Sequence, residues 1–465
     1  MSKTTVVIGG GISGLVAACV LAGQGERVTL MESERQLGGL LRKLDYGEHG
    51  VFDCGMHNMY ETGVRDLDDL LFGLLPADEW QLLEGERRDL AGVYVNGRLQ
   101  ANSPYLDLRD LPEDTRRVLL GDLMLALTRP GTGAPVSGGD FARRHLGNAI
   151  AQYAIHPAMK KLFRRDPDEL DPFASRLTPL SRVVMFDEAE QLDLMQSGQL
   201  RDRLAFPDQR RLPLKWSANR RSYYPKRYGM YRVIDALRDR IESAGGRILC
   251  NAKLDAINTG AGGITDVSFS IDSAAGRVGA VGHLVWTVSL PALAPLLGLP
   301  RDSTARPDKP LRTVVTNLLL RQPAALGGLY YFYCYDPRFE CFRVTDYTAY
   351  CDGAATENGR ALCHEMLVDD VDLDTPGALA RRAIRELLAM GVIAGESEVV
   401  FARTEVLASG FPMPTLNNSA ILGRMRTQIR DLGIGNLLLS GILAEPGLFF
   451  QRDVLAHTYN LVCKA

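Results

Sequence analysis

The most constraining feature of the chain is the stretch from Thr4 to Glu32. It opens with Thr4-Thr5-Val6-Val7-Ile8, a β-branched apolar run of the kind that forms a buried parallel strand. Glycines follow at Gly9, Gly11 and Gly14, then an Ala- and Leu-rich helical segment from Leu15 to Ala22 that Gly23-Gln24-Gly25 ends. A second strand, Arg27-Val28-Thr29-Leu30-Met31, closes on Glu32, 18 residues past Gly14. In such a strand–G-x-G-x-x-G–helix–strand–acid unit each glycine has its task. The first allows the tight turn, the second lets backbone approach a pyrophosphate, and the third lets helix pack on strand. The helix start at Ile12 and Ser13 offers free N–H groups and a partial positive charge, and Glu32 can accept hydrogen bonds from ribose hydroxyls. The unit is expected to bind an ADP moiety.

After Glu32 the chain reads Ser33-Glu34-Arg35-Gln36-Leu37-Gly38-Gly39-Leu40-Leu41-Arg42. A second glycine pair after the ribose-binding acid, followed by a basic residue, resembles the extension found in FAD-binding proteins of the glutathione reductase type. Within that superfamily the chain resembles the branch of amine oxidases, protoporphyrinogen oxidase and UDP-galactopyranose mutase. The resemblance implies FAD as cofactor, with Ser33, Gly38, Gly39, Leu40 and Arg42 among its contacts. It also implies an α/β fold in which a mixed α+β substrate domain is inserted into an FAD-binding Rossmann domain. The expected boundaries are 1–70, 225–290 and 405–465 for the FAD domain, and 71–224 and 291–404 for the substrate domain.

Composition excludes several alternatives. At 465 residues the chain exceeds one simple core. Its net charge of −3 recommends neither nucleic acid nor an anionic membrane as partner. No apolar run reaches the length of a membrane span, and the N-terminal apolar run is the nucleotide-binding strand rather than a signal peptide. A cytoplasmic location is expected. The eight cysteines contain no C-x-x-C pair, which argues against a zinc site or a redox dithiol, and no metal is expected. The partners left are a small-molecule substrate, a sugar or sugar nucleotide among the candidates, and copies of the chain itself.

Further motifs carry the resemblance along the chain. Gly55-Met56-His57 resembles the Gly-Ala-His turn beside the flavin of the mutases, which makes Met56 and His57 candidate flavin neighbours. A satisfied structural histidine is the competing reading of His57. The run Arg176 to Phe186 resembles a mutase segment and matches Arg182 to an arginine near the substrate pocket, against the alternative of a solvated helix-face arginine. Arg343, in Phe342-Arg343-Val344, matches a mutase strand arginine and could clamp a phosphate or carboxylate bidentately. His57, Arg182 and Arg343 are thus the candidate catalytic residues. The strand through Leu254 is expected to lead backbone to the adenine, and the closing strand–Gly441–loop–helix to bring Gly441, Leu448 and Phe449 to the flavin.

Local patterns add a helix over 64–84, a type I′ hairpin at Asn96-Gly97, and helix from Phe141 to about Phe163. They also predict a flexible loop at 130–139, a mobile polar loop at 187–222, a hairpin around Pro337-Arg338 and a helix from Asp372 to Leu388. The resemblance breaks at the mutase motif Gly-Gly-Arg-Leu-Ala-Glu-Tyr. Its arginine is Ile442 here, and the diphosphate-binding tyrosine pair falls on Leu448 and Phe449. Loss of a cation and two hydroxyls costs a diphosphate site several kcal/mol. The expectation is an FAD-dependent oxidoreductase or isomerase acting on a sugar or sugar conjugate, by mutase-like chemistry at flavin N5 or by oxidation. The alternatives are an amine oxidase or desaturase of the protoporphyrinogen oxidase type, and a non-catalytic FAD-bound assembly protein.

Overall fold

Thr4–Ile8 lies at the centre of a five-stranded, wholly parallel sheet with the spatial order Arg247–Leu249, Val28–Met31, Thr4–Ile8, Val281–Trp286, Leu437–Leu439. The computed structural model describes residues 3–88, 91–101, 103–128, 133–216, 221–260, 262–300, 305–407 and 411–464. All five residues of the central strand are buried, as strands covered on both faces must be. The helix Ile12–Gly23 packs on Tyr231–Ser243 and Gln451–Val462, and every residue from Gly14 to Ala22 is buried. Gly14, Ala17, Ala18, Cys19 and Ala22 on that helix are small and let the elements approach closely. An antiparallel three-stranded sheet, Ala252–Gly260, Gly263–Ile271 and Ala274–Gly279, adds Ile257, Val267 and Phe269 to a core shared with Val6, Ile8 and Trp286. These elements belong to one compact unit, Met1–Gln81, Arg220–Arg306 and Ala420–Ala465. It is a Rossmann-like α/β domain.

The second unit, Leu82–Asn219 and Pro307–Ser419, is built on an eight-stranded mixed sheet. Its spatial order is Val399–Val406, Arg312–Leu320, Gly359–Val368, Cys341–Asp346, Tyr331–Cys334, Ala91–Val95, Arg98–Gln100, and Ala355–Thr356 pairs off this path with Gly359–Val368. Only the Tyr331–Cys334/Ala91–Val95 contact is parallel among the described pairs of this sheet. Val95 pairs with Arg98 across Asn96 (φ 52°) and Gly97 (φ 76°), the two positive φ values that a type I′ turn requires. The hairpin around Pro337-Arg338 also forms, with Tyr331 opposite Thr345. Leu318, Phe332, Val344 and Leu387 lie in the core of this sheet.

Several local expectations are corrected. The helix expected over 64–84 stops at Phe72, because Gly73 and Pro76 cannot continue it, and residues 80–82 are a strand. The helix of 141–163 begins at Gly138, capped by the Ser137 hydroxyl, breaks at Gly147 (φ +89°), and then contains a π-helical turn, Ala151–Ile155. Part of the loop expected at 130–139 lies outside the described residues. Segment 187–222 is no loop. It holds the helices Glu188–Leu194 and Gly198–Arg201, with Leu204, Ala205 and Phe206 buried, although 217–220 lie outside the described residues. Its apolar residues are too sparse to show a period, yet several of them, Met195 and Leu204 among them, find a buried place. The helix after Asp372 runs Pro376–Ala389, with the Thr375 hydroxyl accepting from Ala378 N–H.

Candidate functional site

The first unit assembles the glycine loop, Glu32 and the second glycine pair into one cradle. Gly10 N–H donates to Glu32 Oε2 at 2.6 Å, and Glu34 N–H donates to Oε1 at 2.8 Å. Gly38 N–H donates to Gly10 O at 2.8 Å, and Gly11 pairs with Gly38 as an isolated bridge. The Ser33 hydroxyl reaches Glu32 Oε1 at 3.2 Å, and Arg42 Nη1 donates to Gly39 O at 3.0 Å. Leu40 is 41% exposed on this turn. The segment after the strand Arg247–Leu249 is pinned to the same acid, since Ala252 N–H donates to Glu32 O at 2.8 Å, and Leu254 follows two residues on.

This cradle fits a dinucleotide on geometric grounds. A Cβ at Gly14 would lie 1.9 Å from Gly9 O, so only glycine allows helix and loop to meet there. A Cβ at Gly11 would meet no protein atom within 4 Å, and a Cβ at Gly39 would meet only Gly11 Cα. The backbone at Gly11 therefore faces open space at the start of a helix that has no side-chain N-cap. The first-turn N–H groups at Ile12, Ser13 and Gly14 precede the first intrahelical bond, Leu15 N–H to Gly11 O, and are the donors a pyrophosphate takes.

Thr287 joins the other wall of the cradle. Its hydroxyl donates to Ile8 O at 2.8 Å, and its atoms stand where side chains at Gly9, Gly14 or Gly441 would go. Gly441 has φ +93°, and a Cβ there would lie 2.5 Å from Thr287 O. Beyond Gly441, Leu443 N–H donates to Leu448 O at 2.7 Å, while the Arg426 guanidinium donates to Leu443 O at 3.2 and 3.3 Å. The half-buried Leu448 and Phe449 thus sit on a pinned loop with the exposed Ile442 and Phe450, just ahead of the helix Gln451–Val462. Sequence reasoning did not single out Thr287 or Arg426. The "small polar after an apolar strand" pattern at Thr287 was its available signal.

Met56 and His57 are half-buried, and a His57 ring nitrogen, Nδ1, lies 3.3 Å from Gly55 O. Just before them stands a residue that sequence reasoning passed over. Asp53 is 2% exposed and accepts from Tyr224 Oη at 2.7 Å and from Met230 N–H at 2.9 and 3.1 Å. Burial pushes its carboxyl up to about 6 against the pull of these hydrogen bonds.

Arg182 and Arg343 belong to the second unit. Arg182 is half-buried, in the turn before the strand Val183–Val184 rather than on a helix face, and makes no hydrogen bond or ion pair among the described residues. Arg343 is engaged. Its Nε and Nη2 donate to Glu365 Oε2 and Oε1 at 2.6 and 2.8 Å, with both side chains nearly buried. Burial works against the guanidinium charge, but Glu365 outweighs it and holds Arg343 firmly charged. An open, charged cavity of about 960 Å³ in this unit, lined among others by Lys160, Arg164, Asp168 and Asp308, includes none of the expected site residues. No described helix is long and apolar enough to cross a membrane.

A family model described as an NAD(P)-binding Rossmann-like domain matches residues 7–71, which contain the cradle. Over 184 residues the chain is 30% identical to the chloroplastic protoporphyrinogen oxidase of Oryza sativa subsp. japonica, a match spanning 37% of this chain and 32% of the rice protein. It therefore covers about a third of that relative's length. Among solved structures, reduced UDP-galactopyranose mutase aligns with a TM-score of 0.75 at 19% identity, covering 99% of this chain and 95% of the other. Cyclohexylamine oxidase from Brevibacterium oxydans IH-35A aligns with a TM-score of 0.60 at 16% identity, covering 100% and 98%. At such identities these two likenesses speak for the fold. Cradle, fold and matches agree: the chain belongs to the FAD/NAD(P)-binding Rossmann superfamily that includes protoporphyrinogen oxidase, UDP-galactopyranose mutase and the amine oxidases.

Proposed function

We propose that this chain is an FAD-dependent oxidoreductase of the protoporphyrinogen oxidase or amine oxidase type. The observation that carries this reading is the 30% identity to a protoporphyrinogen oxidase over 184 residues. The mutase-like reading, with chemistry on a sugar conjugate, stands second. Ile442, Leu448 and Phe449 offer hydrocarbon where that chemistry wants a cation and two hydroxyls for a diphosphate.

FAD, when bound, supplies a two-electron acceptor for substrate oxidation. The chain's own residues bind and orient. Ile12, Ser13 and Gly14 offer N–H groups to the pyrophosphate, and the remaining lone pairs of Glu32 serve the ribose. Gly38, Gly39, Leu40 and Arg42 present the second backbone loop, and Leu254 lies on the strand assigned to the adenine. Met56, His57, Gly441, Leu448 and Phe449 are assigned to the flavin end, where the apolar pair keeps water out. The N-terminus of Gln451–Val462 would favour negative charge on a reduced ring. Arg182 is the stronger candidate for a substrate anion, because the charge of Arg343 is already offset by Glu365.

The test is an anaerobic titration of the purified yellow protein with NADPH and with dithionite, followed by admission of air. Reduction followed by rapid oxygen consumption is the expected result. A reduced flavin that persists in air and turns over a sugar nucleotide would move the reading to the mutase class. A flavin that resists reduction by every donor would make the chain an assembly protein, and a colourless protein would sink the cofactor assignment.

A further inference from the structure

Three side chains able to ligate a metal converge in the second unit, with the Cys334 thiol in contact with one of them, Cys341, and none has a part in the reading above. Cys334 ends the strand Tyr331–Cys334, Cys341 opens the antiparallel strand Cys341–Asp346, His364 lies on the neighbouring Gly359–Val368, and Glu386 projects from the helix Pro376–Ala389. Between Cys341 and Arg343 the pairing with Gly359–Val368 shifts register, a bulge of the kind that re-aims a side chain. Donor atoms of Cys341, His364 and Glu386 all lie within 4.8 Å of one another. Cys334, Cys341 and His364 have no exposed surface, and Glu386 is 8% exposed.

A buried histidine–carboxylate pair explains part of this cluster. His364 Nε2 lies 3.1 Å from Glu386 Oε2, and the carboxylate also accepts from Glu340 N–H at 2.7 Å and Cys341 N–H at 2.9 Å. The pair leaves His364 Nδ1 buried with no hydrogen-bond partner, and the Cys341 thiol stands beside the pair. The Cys334 and Cys341 thiols touch, and the Lys161 ammonium lies near both. Lys161 Nζ donates to the backbone carbonyl of Cys341.

We propose that Cys341, His364 and Glu386, completed by Cys334, bind one divalent metal ion of the zinc class. Two sulfurs, one imidazole nitrogen and one carboxylate oxygen form a tetrahedral donor set that this ion accepts. The nitrogen and oxygen donors of a zinc tetrahedron stand about 3.3 Å apart, close to the His364–Glu386 separation. With both thiols ionised the occupied site carries a single net negative charge, which Lys161 offsets. Binding releases the thiol protons to solvent and involves no change of oxidation state. Closure on all sides makes the site structural, loaded as the sheet forms.

The experiment uses the full-length, FAD-bound protein dialysed against metal-free buffer. Mass spectrometry for metals is expected to find about one zinc per chain, and protein produced in cobalt medium to show thiolate-to-cobalt charge-transfer absorption. Cys334→Ser/Cys341→Ser is expected to lower metal content at least tenfold, and Cys463→Ser, at an exposed position, to leave it unchanged. If the double variant does not fold, the two wild-type measurements decide. Less than a tenth of an equivalent of metal together with no cobalt spectrum overturns the proposal, as does zinc that survives in a folded double variant.

Discussion

Asp53 offers the sharpest physical test in the first unit. It is 2% exposed, and its ordinary value of 3.8 is pushed up to about 6 by burial, against hydrogen bonds from Tyr224 and Met230. Between those two values the native state holds a proton that the unfolded chain has released, so stability falls as pH rises through that window. At about 1.4 kcal/mol per pH unit the interval amounts to about 3 kcal/mol, present below pH 3.8 and lost above about 6. Asp53→Asn keeps the shape and an acceptor for Met230 N–H but removes the titration. The stability of the variant relative to wild type is therefore expected to rise by about 3 kcal/mol between acid and neutral pH, with most of the change between pH 4 and 6. The assay is urea unfolding of the FAD-saturated protein at half-unit pH steps, followed by tryptophan fluorescence. A difference between the two proteins that stays flat with pH would show that Asp53 ionises as freely in the fold as in the open chain.

Four further outcomes follow from the geometry. Gly14→Ala drives a Cβ to 1.9 Å from Gly9 O and should cost about 1–3 kcal/mol or more and strip the flavin. Gly11→Ala meets no protein atom and should keep the melting temperature of the FAD-free protein while still losing flavin on desalting. Arg343→Ala leaves the Glu365 carboxylate buried and unpaired and should lower stability by about 3–5 kcal/mol, whereas Arg343→Met/Glu365→Leu should recover most of it in denaturant titrations. Thr287→Val loses the hydroxyl bond to Ile8 O and should cost about 1 kcal/mol in the same assay.

What was legible in the sequence was what is local. The cradle reads directly because strand, glycines, helix and acid follow one another within thirty residues, and glycine spacing encodes close backbone approach. Asn96-Gly97 reads for the same reason. Asp53 does not, because its partners Tyr224 and Met230 lie 171 and 177 residues along the chain. An Asp before a Cys-Gly turn looks solvated until that segment folds over it. Segment 187–222 failed differently, since its short helices are held by a few buried side chains rather than by a period. The cysteines were judged by spacing alone, and spacing cannot show that the thiols of Cys334 and Cys341 meet or that a helix brings Glu386 to His364.

The loop after Gly441 shows how far local departures can constrain chemistry. Gly441 is held by its positive φ and by Thr287, so the turn itself has little freedom to change. Its neighbours Ile442, Leu448, Phe449 and Phe450 are hydrocarbon. Ile442 is 44% exposed and Phe450 40% exposed, beside the half-buried Leu448 and Phe449. The one cation bound to this loop, among the described contacts, is Arg426, and its guanidinium donates to the Leu443 carbonyl. Half-buried and spending its donors on that carbonyl, Arg426 is a poor substitute for an exposed diphosphate ligand. A surface of this composition gains by covering apolar substrate atoms and loses by desolvating phosphates. Ile442→Arg with Leu448→Tyr and Phe449→Tyr therefore makes a directed test. Measurable binding of a sugar nucleotide by the triple variant and none by wild type would assign the difference to these three positions. Equal binding by both would mean that the selection lies elsewhere.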